Sequence, residues 1–106
     1  MPKYLVEATY SSEGDKGVLK SGGSVRRTVV EQTTAEVGGK LEAFYFAFGE
    51  RDAIIIVDVP NNAAAAALSM SVNASGAVRC TTTPLLTPEE IDTAVKAHVS
   101  YRAPGQ

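Results

Sequence analysis

Between Leu41 and Val59 the chain reads LEAFYFAFGERDAIIIVDV, two apolar runs joined by Gly49-Glu50-Arg51-Asp52. The aromatic and β-branched residues predict two strands, and the four residues between them predict a tight turn. A strand with one wet face alternates apolar and polar residues. These two barely alternate, so each face of the hairpin needs a cover.

The remaining sequence bounds what can supply it. The 106 residues suit one domain, residues 1–106, with one core. A net charge of -2 and a pI near 5.3 leave no electrostatic footprint for nucleic acid. The single cysteine, Cys80, excludes an internal disulfide and fits a reducing, cytoplasmic compartment. Met1-Pro2-Lys3-Tyr4 does not begin a charged leader with an apolar core. The apolar runs fall far short of the roughly 20 residues that span a bilayer. The expectation is a soluble cytoplasmic protein with no membrane partner.

Strands and helices alternate along the chain. Tyr4 to Tyr10 reads as the first strand, followed by a short helical piece towards Lys20 that Ser12 with Asp15 would cap. Gly22-Gly23 breaks it. Ser24 opens a second helical piece with Val25, Val29 and Val37 as its apolar stripe, and Gly38-Gly39 closes it. After the hairpin, Pro60 stops the strand and Asn61 or Asn62 caps a helix through the alanine run to Val72, closed by Gly76. Ala77 to Thr83 reads as the fourth strand. Thr87-Pro88-Glu89-Glu90 is a helix start, with threonine as cap, proline at the first position and glutamate three residues after the cap; this helix is expected to reach about Val99.

The order β-α-β-β-α-β plus a terminal helix is the α+β, ferredoxin-like pattern with a four-stranded antiparallel sheet. Its strand order, 4-1-3-2, makes Leu41 to Phe48 an edge strand. An apolar edge left bare invites aggregation. A second copy packed face to face is the simplest cover, so a homodimer or higher homo-oligomer is expected.

The segments Pro2-Lys3-Tyr4-Leu5, Gly22-Gly23-Ser24, Gly39 to Gly49, Asn73-Ala74-Ser75-Gly76 and Thr87-Pro88-Glu89-Glu90 together resemble the GYD domain family over nearly the whole chain. The family's turn motif falls on Gly49 and Asp52, with Arg51 where a tyrosine is usual. The resemblance implies a dimeric α/β barrel. It does not choose an activity, because that architecture carries isomerases, cofactor-free oxygenases, haem-handling enzymes and stress proteins.

Parity along the strands assigns the faces. Phe44, Phe46 and Phe48 share one face with Ala53, Ile55 and Val57, and that face suits the alanine-rich helix. The other face carries Ala43, Tyr45, Ala47, Ile54, Ile56 and Asp58, and is joined by Leu5, Glu7, Thr9, Arg79, Thr81 and Thr83. A bulge would flip part of this assignment. Glu7, Tyr45, Asp58 and Arg79 are therefore the candidate ligand-binding set on the inner face. Either they line a pocket where a desolvated carboxylate moves protons and an arginine holds an anion, or they are interface ion pairs.

Gly22-Gly23-Ser24 with Arg26-Arg27 has the residues of a phosphate cradle but not the glycine spacing of a nucleotide loop, and a helix break is the simpler reading. One histidine, His98 on the last helix, and one distant cysteine do not make a metal site within one chain. Cys80 reads as a small buried apolar residue. The sequence thus points to a small homo-oligomer with an apolar barrel or cleft for a small apolar molecule and no cofactor, its chemistry, if any, cofactor-independent proton transfer. The alternative is a non-catalytic assembly protein.

Overall fold

A computed structural model describes residues 1–106. Its elements run β1 (Lys3–Tyr10), α1 (Ser12–Ser21), α2 (Gly23–Glu36), β2 (Lys40–Phe46), β3 (Ala53–Asp58), α3 (Asn62–Ala74), β4 (Val78–Leu85) and α4 (Pro88–Ala94). The four strands form one open antiparallel sheet in the order β2-β3-β1-β4, the ferredoxin-like arrangement. Local caps start α1 and α3, whereas α2 begins at Gly23, one residue before the expected Ser24, behind Gly22, which has no side chain to cap it. Ser11, rather than Ser12, caps α1 by accepting from the Gly14 N–H, and Asn61 caps α3 by accepting from the Ala64 N–H. Gly38, just past α2, adopts φ 80°, a left-handed turn that other residues enter only with strain.

One face of the sheet meets the helices. Tyr4, Ala8, Ala53, Ile55, Val57, Val78 and Cys80 are buried there, joined by Val59 and by Ala65 of α3. These are the alternate positions that parity assigns to the covered face. A bulge between Leu41 and Ala43 sets Leu41 opposite Val57, so Leu41 joins the covered face while Ala43 stays on the other. The helices divide the sheet between them, α2 lying on β2 and α3 on β4. Phe46 therefore packs not under the alanine-rich helix but against Gly23 of α2. A Cβ at Gly23 would stand 2.8 Å from the Phe46 ring. Phe44 meets Phe46 edge-on at 5.0 Å, and Tyr10 lies beyond at 6.4 Å, an aromatic row along the covered face.

Two expected boundaries move. The hairpin has a six-residue connection, 47–52, rather than a four-residue turn, so β2 ends at Phe46 and Phe48 is fully exposed, not part of the covered face. The Ala47 N–H donates to the Asp52 carbonyl, and the Asp52 N–H turns away to the Ala8 carbonyl of β1. The last helix stops at Ala94 rather than near Val99, leaving His98 beyond it. Its capping box is as expected: the Thr87 hydroxyl accepts from Glu90, and the Glu90 carboxylate accepts from Thr87.

From Leu86 onward the chain leaves the sheet. Ile91, Val95, Val99 and Tyr101 are exposed, and α4 makes no extensive contact with any other element. The radius of gyration is 16.8 Å, against about 13 Å for a compact chain of this length.

Candidate functional site

The open sheet face carries the residues singled out by parity, in register. Tyr45 lies opposite Ile54, Ile54 opposite Glu7, and Glu7 opposite Thr81. The next row is apolar except for its last residue, with Ala43, Ile56, Leu5 and Thr83 abreast. Asp58 lies beyond it, four residues along β3 from Ile54, or about 13 Å at the strand rise. Arg79 stands opposite Thr9, diagonal to Glu7. Glu7 and Tyr45 thus share a neighbourhood with Arg79 at its margin, and Asp58 does not belong to it.

The charges on this face are paired except for Arg79, which joins no ion pair. The Arg51 guanidinium reaches from the hairpin loop to the Glu7 carboxylate at 3.7 Å. Lys3 donates to Asp58 at 2.8 Å and to Glu42, the residue at the bulge, at 3.0 Å. Asp58 first, and then Glu42, hold the Lys3 ammonium above its ordinary value. Tyr45 is largely exposed.

A deeper concavity lies on the opposite face. α2 lies on β2 and α3 on β4, and a cleft opens between the two helices down to the centre of the sheet. The resulting cleft holds about 370 Å³. Its floor is Val6, Ala8, Ile55 and Val57, and its walls are Val29 and Val30 of α2 and Leu68 and Val72 of α3. Apolar groups dominate, with a few hydroxyls, the Cys80 thiol, Tyr10 and Arg26. The wall hydroxyls are largely spent: Thr34 donates to the Val30 carbonyl and Ser75 to the Val72 carbonyl. Burial pushes the Tyr10 phenol above its ordinary value. The neighbouring Arg26 guanidinium pulls the other way, and Asp52 and Asp15 add to the rise.

None of Glu7, Tyr45, Asp58 and Arg79 lines this cleft. Sequence reasoning missed Tyr10 and took Arg26 only as part of a glycine-arginine helix start. The usable signal was α2 itself, where Val29 and Val30 sit one turn beyond Arg26 on the side that faces the sheet. Two residues of the family turn have distinct positions. The Asp52 carboxylate accepts the Tyr10 N–H at 2.8 Å, tying the loop to β1. Gly49 has open space around its Cα and no positive φ. Cys80 is buried, and neither it nor His98 belongs to a group of three or more metal-ligating side chains. No helix is long and apolar enough to cross a membrane.

A family model described as GYD domain matches residues 4–95, from β1 through α4. No curated protein and no solved structure gives a match.

Proposed function

This chain belongs to the GYD domain family, and on that premise we propose that it is a homodimeric binding protein holding one small apolar molecule in the α2–α3 cleft of each protomer. The observation that carries this reading is the cleft itself. Its 370 Å³ falls in the range of small-molecule sites, and its surface is mostly apolar with a few polar groups. The floor residues Ala8, Ile55 and Val57 are already buried, so a ligand would gain chiefly by covering the partly exposed apolar walls, Val29, Val30, Leu68 and Val72, at roughly 25 cal/mol per Å².

Binding is favoured over proton transfer by the lining. No aspartate, glutamate or histidine borders the cleft, and those are the usual general bases at neutral pH. Glu7, the acid nearest the centre of the sheet, lies on the other face and is neutralised by Arg51.

The dimer is supported by the open face and the arm. Leu5, Ala43, Tyr45, Ile54 and Ile56 form an apolar band there, with the Glu7–Arg51 and Lys3–Asp58 pairs at its ends. Joining two such faces covers the band, leaves both clefts open on the outside, and gives the projecting arm a surface on the partner.

The test uses N-phenyl-1-naphthylamine, a neutral probe that fluoresces when it leaves water. The wild type is expected to bind it saturably, one per chain. Leu68→Trp, which fills the cleft, should abolish binding while the circular dichroism is retained; Ile56→Asp, on the open face, should leave it intact. Loss in Ile56→Asp with retention in Leu68→Trp would place the site in the wrong half of the molecule and overturn the reading.

A further inference from the structure

The cleft has one charged side chain among those that line it, Arg26. No carboxylate of the chain pairs with it: the ion pairs present join Lys3 to Asp58 and Glu42, Lys16 to Glu13, and Arg51 to Glu7. Arg26 is half-buried on the first turn of α2, beside the Tyr10 ring that ends β1. Asp15 and Asp52 lie near that phenol, but Asp52 is committed to the Tyr10 N–H and neither acid bridges to the guanidinium. A cation that has lost part of its hydration against apolar walls, with no internal counter-ion, gains most from an anion delivered through the cleft.

We infer that the cleft selects an amphiphilic monoanion, an apolar body lying between Val30, Leu68 and Val72 with one carboxylate-like head on Arg26. The inference rests on the cleft being a binding site, and adds the chemistry of the head. The planar guanidinium offers two parallel N–H donors to a carboxylate, and the Tyr10 hydroxyl beside it can donate a third bond. No acidic side chain lines the cleft, although Asp15 and Asp52 lie near the Tyr10 phenol, so the pairing with Arg26 has to outweigh their repulsion of the head. The 370 Å³ leaves room for about a dozen water-sized groups, enough for a medium-length chain or a small fused ring.

Decanoate and decanol, matched in chain and differing in charge, are used to displace N-phenyl-1-naphthylamine at neutral pH. In the wild type decanoate should displace the probe about tenfold more effectively than decanol, the scale of one charge-assisted hydrogen-bonded pair. Arg26→Gln should bring that ratio close to one, and Arg26→Lys should restore part of it. Equal displacement by the two in the wild type, or a preference that survives in Arg26→Gln, overturns the anion site while leaving the cleft as an apolar one. A wild type that does not bind the probe at all overturns both.

Discussion

Asp52 makes three connections from one residue. Its carboxylate accepts from Tyr10, its N–H donates to Ala8, and its carbonyl accepts from Ala47. It is the point where the hairpin loop is fastened to β1. Asp52→Ala removes a charged acceptor from a half-buried N–H and should cost about 2 kcal/mol. Gly49→Ala, at a position with free space and no special φ, should stay within about 0.5 kcal/mol. Urea melts of the two variants check both values, and comparable losses would remove the special place of Asp52. Tyr10 titrates at the same corner. Its phenol is raised in the folded state, so the neutral ring contributes stability below the ordinary tyrosine value, and that contribution is lost as pH rises through the raised one. The wild type should lose stability in that alkaline window, and Tyr10→Phe should lose less, as read from urea midpoints against pH. These roles were invisible in the sequence. The motif drew attention to Gly49 and Asp52 alike, and only hydrogen bonds reaching across to β1 separate them.

At the scale of elements, the sheet was the legible part. A period of two assigned Ala53, Ile55 and Val57 to the covered face and Ile54 and Ile56 to the open one, because a strand cannot turn one residue without turning its neighbours. Capping residues placed the starts of α3 and α4 for the same local reason. The loop length, the bulge beside Glu42 and the early end of α4 were not legible, since each depends on what the segment packs against. The α2–α3 cleft was least so: it arises from the spacing of two helices over a sheet, which no local pattern encodes. One contact shows how α3 is held in place. The Asn73 amide donates to the Cys80 carbonyl at 3.2 Å and accepts from the Cys80 N–H at 2.7 Å, behaving as one more residue of sheet beside the edge strand β4. Asn73→Leu strands both groups and should cost about 1–3 kcal/mol. Because α3 is a wall of the cleft, the same variant should also weaken probe binding. A stability loss without any change in binding would mean that α3 keeps its position without Asn73.

The whole molecule has a thin core, with ten buried residues of 106, and three apolar surfaces left over: the open sheet face, the cleft and the terminal arm. In the proposed dimer, two copies joined through their open faces would cover the first and give the third a partner. Ile54→Lys with Ile56→Lys should therefore halve the mass seen by light scattering at concentrations where the wild type is dimeric. Removal of residues 87–106 should raise the dimer dissociation constant. A wild type that is monomeric at tens of micromolar would end the dimer account and leave the cleft untouched. The cleft is the central claim, and methyl NMR addresses it directly, because the two faces of the sheet carry different reporters. On titration with N-phenyl-1-naphthylamine, shifts should concentrate in the methyls of Val6, Val30, Leu68 and Val72. Shifts confined to Leu5, Ile54 and Ile56, or no shifts at all, would contradict it.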